Sequence, residues 1–213
     1  MQRTAEITRK TAETDVKLKL NVDGTGTARL NYPIGFMAHM LESFAKHGLF
    51  DLEIEAVGDL HVDQHHLVED TGIALGQAFA AALGDKRGLR RAGFCLYPMD
   101  ETLAQAAVDL CGRAYFVMEA ALSDIPLVSA GPAGDSRPFQ TDTIHDFWQS
   151  FTANAGCALH LDILRGRSNH HKIEALFKAA ARALRTACEI DPRAPDAIPS
   201  TKGILSEHGI MIC

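Results

Sequence analysis

Apolar and polar residues alternate over residues 13–22 (ETDVKLKLNV), with Val16, Leu18, Leu20 and Val22 on one side, which predicts a half-buried strand. Asp23-Gly24 supplies a tight turn before residues 27–32, so the two segments read as a β-hairpin. The period then changes. Across residues 35–47, Phe36, Met37, Met40, Leu41 and Phe44 form one helical stripe, with His39 and His47 at its edge and Gly48 at its end. Alternation returns over residues 49–57, Gly58-Asp59 turns the chain, and residues 65–83 read as a second helix capped by Gly84. Three strands are predicted at 94–98, 102–110 and 114–120, with turns at Asp100 and Cys111-Gly112. Residues 122–139 hold three prolines and little periodicity, which predicts a loop. Residues 143–155 then read as a helix carrying Ile144, Phe147, Trp148 and Phe151, residues 157–164 as a strand, and Asn169 opens a last helix.

HHLVEDTGIALGQAF from His65 matches HHKIEALFKAAARAL from His170, and each is preceded by a helix and a strand, the mark of an internal duplication. Aligning Ser43-Phe44 with Ser150-Phe151 places His39 opposite Asp146. The expected fold is α+β: duplicated β-β-α-β-α units forming two mixed sheets packed around a central layer of helices. Residues 1–87 and 88–213 are the two halves of one compact domain, because half-domains this small would be marginal alone.

A composition of 46% hydrophobic and 23% charged residues is that of an ordinary globular protein, too apolar for disorder. The net charge of −6 argues against nonspecific nucleic-acid binding, so an anionic ligand needs a local basic cluster. No apolar run reaches the roughly 20 residues needed to span a bilayer, and MQRTAEITRKTAET lacks an apolar signal core. A cytoplasmic protein without a membrane partner is expected. Cys95, Cys111, Cys157, Cys188 and Cys213 are odd in number and scattered, so they are expected to be reduced and structural.

The chemistry gathers at the HHxxE repeats: His65, His66 and Glu69, then His170, His171 and Glu174. Residues three and four apart share one helical sector, whereas adjacent residues diverge by about 100°. The simplest use of four such histidines is therefore two ions, each collecting one histidine from each motif helix. Imidazole with carboxylate suits Mn, Fe, Co, Ni or Zn and poorly suits Mg or Ca, which leaves the metal's identity open. Only one of Asp146 and His145 can face such a site, and the repeat alignment favours Asp146. Arg91, Arg113, Lys178 and Lys202, the last within Ser200-Thr201-Lys202, would together grip a phosphate, although each alone is an ordinary surface charge. Glu13, His47, His61, His160 and His208 have an equally plain reading as single residues. HExxH, GxSxG, P-loop and GxGxxG motifs are absent.

The set formed by Glu13-Thr14, HML at His39, HGLFDL at His47, Gly58-Asp59, HHLVED, GLRR ending at Arg91, MDE at Met99, CGR ending at Arg113, NHHKIEALFKAAARALR and STKG resembles the imidazoleglycerol-phosphate dehydratase family over nearly the whole chain. The resemblance implies a two-manganese site with His39, His65, His66, Glu69, His170, His171 and Glu174 at ligand positions. It implies substrate contacts from Glu13, His47, Arg91, Arg113, Lys178 and Ser200 to Lys202, and large cubic homo-oligomers of twenty-four subunits that share sites. Ala38 stands where the family usually has aspartate, Cys111 replaces the serine of SGR, residues 122–139 look expanded, and Asp146 occupies a position where many members have histidine. The implied reaction is loss of water from imidazole glycerol phosphate, a small phosphorylated imidazole. The anionic ring expels the adjacent hydroxyl, and loss of the neighbouring proton to Glu174 or Glu13 gives an enol that ketonises. A metal-storage protein would use ExxH spacing on bundle helices, and a metallo-phosphatase is normally richer in aspartate ligands, so both fit less well.

Overall fold

The computed structural model describes residues 3–123, 127–128 and 138–205. Strands β1 (Thr4–Lys10), β2 (Thr14–Asn21), β3 (Ala28–Asn31) and β4 (Asp51–Gly58) form a sheet in the order β1-β2-β4-β3. The hairpin expected between residues 13–22 and 27–32 does not form. Instead β2 pairs antiparallel with both β1 and β4, and β3 runs parallel to β4 at the far edge. The Asp51 carboxylate accepts hydrogen bonds from the Thr25 and Thr27 amides at 2.8 and 3.0 Å, which seats the chain entering β3 beside β4 rather than β2. The actual hairpin joins β1 to β2, where Thr11 Oγ1 accepts from the Glu13 and Thr14 amides, each at 3.0 Å. Strand β1 escaped prediction because only Ala5 and Ile7 mark its inner side.

The second sheet repeats this winding. Strands β5 (Ala92–Met99), β6 (Thr102–Asp109), β7 (Tyr115–Glu119) and β10 (Ala158–Arg165) stand in the order β5-β6-β10-β7. Within the stretch expected to be a loop, β8 (Leu127–Val128) and β9 (Pro138–Phe139) form a two-residue ladder. Residues 124–126 and 129–137 of that stretch lie outside the described residues, as do His208 and Cys213. In each half three strands of the four-stranded sheet precede the first helix, one more than in the expected unit, and the second half adds the β8–β9 ladder.

Helices α1 (Gly35–Gly48) and α2 (His65–Leu83) cover the first sheet, and α3 (Thr143–Ala155) and α4 (Asn169–Cys188) the second. α2 packs on α3 and α1 on α4, so the helices form the central layer, and one continuous buried cluster runs through both halves. The boundary drawn between residues 87 and 88 falls between α2 and β5, where the Gly88 amide donates to the Ala197 carbonyl at 2.8 Å. Among the described residues no helix is long and apolar enough to cross a membrane. Cys111, Cys157 and Cys188 are buried and Cys95 is partly buried, all as free thiols.

The approach of α2 to α3 depends on Gly72 and Gly76. A Cβ on Gly72 would lie 2.4 Å from the Phe147 carbonyl oxygen, and one on Gly76 equally close to that of Phe151. Backbone cannot swing aside as a side chain would. Gly72→Ala should therefore lose about 1–3 kcal/mol in denaturant unfolding by forcing the helices apart. Undiminished stability would show that the crossing tolerates expansion.

Candidate metal centre

The four helices set two clusters at matching places in the repeat. On α1 and α4, Nε2 of His39 and Nε2 of His170 approach the same Glu174 oxygen at 3.5 and 3.3 Å. These three residues offer donor atoms all within 4.8 Å of one another. His39 and His170 are held ring to ring at 5.7 Å, and Phe36 packs edge-on against His170 from the preceding turn of α1. Glu174 is nearly buried and pairs with Lys178 one turn further along α4, at 2.8 Å. Burial would raise its carboxyl, but the Lys178 ammonium and the two imidazoles outweigh that and take it below the ordinary glutamate range. Glu174 is therefore an anion, able to hold a cation or receive a proton.

On α2 and α3, His65 Nδ1 lies 3.3 Å from Asp146 and His65 Nε2 lies 3.7 Å from Glu69, which also accepts from Ser150 Oγ at 3.3 Å. The starts of these helices are locked by a reciprocal amide pair. The Gln64 amide donates to Gln140 Oε1 at 2.8 Å, and the Gln140 amide to Gln64 Oε1 at 3.1 Å. That part-buried pair ties together the chain just before each helix, where His65 and Asp146 come within 3.3 Å. The neighbouring His145 is turned away, with its ring edge-on to Phe116 at 5.2 Å. The two carboxylates flank the His65 ring on its two nitrogens rather than converging on one, so this cluster is less closed than the first.

His66 and His171 stand at about right angles to their neighbours, with interplanar angles of 81° and 89°. They leave the clusters altogether. His66 Nδ1 meets Asp59 at 3.1 Å, with Glu13 at 3.7 Å, and His171 Nδ1 meets Glu101 at 2.8 Å. The Ser168 amide, with the His171 ring and the Arg167 amide, holds the Glu101 carboxyl down at about 2. Asp59 and Glu101 were not singled out from sequence. The available signal was that Glu101-Thr102 repeats Glu13-Thr14 at the start of the matching strand.

Within one chain the two motifs do not meet: among the described residues no contact joins a histidine of α2 to one of α4. Within one chain each motif meets α1 or α3 instead. The basic residues also divide. His47 and Lys178 line a cleft of ≈ 400 Å³ together with His39, Ser43 and Glu174. Burial first, then the charges of Lys178 and Arg182, lowers the His47 imidazole below its ordinary value, and the ring lies edge-on to Tyr97 at 5.5 Å. Arg91 is elsewhere. Its amide bonds the Ala187 carbonyl at 3.0 Å, nine residues beyond Lys178 or roughly 13 Å along α4. Both Asp109 oxygens hold its guanidinium at 2.7 and 2.9 Å, and it donates to the Pro199 carbonyl at 2.8 Å. This brings Arg91 to the segment of Ser200, Thr201 and Lys202, while Arg113 is exposed on the turn after β6.

The chain matches the family model described as imidazoleglycerol-phosphate dehydratase over residues 33–184. Similar proteins include an imidazoleglycerol-phosphate dehydratase from Jannaschia sp. (strain CCS1), 50% identical over 203 residues, covering 95% of this chain and 100% of that one. Another, from Acidiphilium cryptum (strain JF-5), is 52% identical over 205 residues, 96% of this chain and 100% of that one. Among solved structures, imidazoleglycerol-phosphate dehydratase from Staphylococcus aureus superposes with a TM-score of 0.74 at 34% identity, covering 88% of this chain and 99% of that one. IGPD from Pyrococcus furiosus in complex with (S)-C348 gives 0.77 at 29% identity, covering 93% and 100%.

Proposed function

The chain belongs to the imidazoleglycerol-phosphate dehydratase family, and from that premise we propose that it is a hydro-lyase of histidine biosynthesis that removes water from imidazole glycerol phosphate, with two divalent metal ions, manganese first among them. The observation that carries this reading is the convergence of His39 and His170 on one Glu174 oxygen at 3.5 and 3.3 Å, in the wall of a cleft that also holds His47 and Lys178. Ligands about 2.1 Å from an ion lie about 3 Å from one another, so this donor set fits a borderline divalent cation. We assign His39, His170 and Glu174 to one ion and His65, Glu69 and Asp146 to the other, with His66 and His171 each completing a site on a neighbouring chain. When bound, the ions would supply charge stabilisation to the substrate's ring nitrogens as the hydroxyl departs.

The remaining work falls to side chains. Glu174, kept anionic by Lys178, is our candidate to take the proton from the carbon next to the departing hydroxyl, with Glu13 as the alternative. Lys178 and His47 flank the same cleft, where the lysine offers a cation to the phosphate. None of Arg91, Arg113, Ser200, Thr201 and Lys202 lines that cleft, and Arg91 is anchored at Ala187 and Pro199, so we assign this group to a phosphate in the cleft of another subunit. An assembly of the twenty-four-subunit kind is therefore part of the reading. The outer face of the second sheet suits it: Phe94 is 82% exposed and Leu96 55%, whereas the first sheet's outer face carries ion pairs such as Lys19–Glu6 and Arg29–Glu53.

Incubating the manganese-loaded protein with imidazole glycerol phosphate should yield imidazole acetol phosphate, and a folded, loaded sample that forms no ketone would overturn the reading. Asp146 is tested separately by metal stoichiometry. Asp146→Ala should lose about one ion per chain while His145→Ala keeps both. The reverse result would move the ligand to His145.

A further inference from the structure

His66 and His171 are the two motif histidines that turn away from the helix-pair clusters, and each is held by a carboxylate from a different part of the repeat; His66, Asp59 and Glu13 themselves bring donor atoms within 4.8 Å of one another. We propose that Asp59 and Glu101 are positioning residues that fix these rings through Nδ1 and leave Nε2 to bind metal, and that Asp59 thereby releases Glu13 for chemistry. This assignment rests on the two-ion reading above and adds the residues that aim its outward ligands.

In the second half, Glu101 Oε2 lies 2.8 Å from His171 Nδ1, while Oε1 accepts from the Arg167 and Ser168 amides at 3.2 and 2.9 Å. The carboxylate is thus tied to the start of α4 and cannot drift from the ring. An ionised carboxylate only accepts hydrogen bonds, so Nδ1 must carry the hydrogen and Nε2 the lone pair. In the first half, both oxygens of Asp59 lie within 3.1 and 3.3 Å of His66 Nδ1, and the Asp59 amide is anchored on the Glu13 carbonyl at 3.0 Å. Nε2 of His66 has no hydrogen-bond partner among the described residues. The two rings are therefore held alike through Nδ1 by carboxylates of different origin, while at Nε2 only His171 has a carboxylate nearby, that of Asp100 at 3.9 Å, beyond hydrogen-bond distance.

The repeat explains the difference. Glu13-Thr14 and Glu101-Thr102 each occupy the turn leading into the second strand of their sheet. Asp59 follows the last residue of β4, and Gly166 holds the matching place after β10. A Cβ on Gly166 would lie 2.5 Å from Thr102 Oγ1, so that position has no room for a side chain and the turn glutamate must do the holding. In the first half Asp59 does it. Glu13 is left 3.7 Å from the ring with its side chain 54% exposed, whereas Glu101 is 34% exposed and fully engaged. One duplicated glutamate became a support and the other remained available to substrate.

Removing a carboxylate that orients a metal-binding imidazole costs about 10–100-fold in metal affinity. Mn²⁺ binding to the full-length protein, followed by the electron paramagnetic resonance signal of the free ion, should show that Glu101→Gln and Asp59→Asn each weaken one of two ions by about that factor. In Glu101→Gln the amide oxygen stays with the two backbone donors and the NH2 group faces the ring, so Nδ1 becomes the acceptor and the hydrogen moves to Nε2, where it blocks the metal. Glu13→Gln should leave both affinities within about twofold, and so should Ser168→Ala, which removes only the α4 cap. If Glu101→Gln fails to fold, Asp59→Asn decides, since that side chain bonds only the ring. Wild-type affinities in Asp59→Asn or in a folded Glu101→Gln overturn the assignment, as does a loss in Glu13→Gln equal to that in Asp59→Asn. A wild-type protein that takes up no Mn²⁺ overturns the two-ion reading as well, which distinguishes the two failures.

Discussion

Glu174→Gln is expected to lower turnover by at least about a hundredfold, the largest effect of any single substitution in this molecule. The carboxylate does three things at one place: it faces the Nε2 atoms of His39 and His170, it pairs with Lys178 at 2.8 Å, and it lines the cleft. The amide keeps the size of the side chain but has neither the charge to balance Lys178 nor the basicity to take a proton. Steady-state rates must be read beside metal content, because a loss of ions and a loss of the base both lower turnover. In a variant carrying its full complement of ions, a fall in turnover assigns proton transfer to Glu174. Near-normal turnover in that same loaded variant would pass the task to Glu13, whose exposed carboxylate beyond Asp59 is the other candidate.

Chelation of the metal should abolish activity and shrink the particle. The two clusters sit on separate helix pairs, and His66 and His171 point away from both of them, so on the two-ion reading an ion that gathers a further histidine draws it from a neighbouring chain. On the two-ion reading, loss of the ions removes the bridge between subunits and leaves the carboxylates of Glu69 and Asp146 around His65 without a cation. Light scattering before and after chelation reads this directly, and restoring Mn²⁺ should restore both size and rate. A metal-free sample that keeps its full size would show that sheet contacts such as those of Phe94 and Leu96 hold the assembly without help.

Periodicity carried most of the helical part of the fold. The bounds of α2 and α3 follow from their apolar stripes, and the HHxxE repeat shows the duplication in the amino-acid sequence itself. The sheet was harder because strand partners are chosen by contacts remote in sequence. The turn at Asp23-Gly24 looks like a hairpin in the letters, but Asp51, more than 20 residues away, captures the Thr25 and Thr27 amides and sends β3 to the other side of β4. In the site, the divergence of adjacent helical residues is seen in the rings of His65 and His66 and of His170 and His171, which lie at 81° and 89°. Spacing did not show that each motif would meet α1 or α3 rather than the other motif, since that depends on how the helices cross at Gly72 and Gly76. Glu101 was legible only by laying its Glu-Thr pair over Glu13-Thr14, and Asp59 by asking what stands where Gly166 has no side chain.

The measurement that bears most directly on the two-ion account is anomalous diffraction at the manganese edge from crystals of the loaded protein. The account predicts two peaks per chain, one among His39, His170 and Glu174 and one among His65, Glu69 and Asp146, each also touched by a His66 or His171 from a neighbouring chain. A single peak, or ions bound at neither cluster, would contradict it.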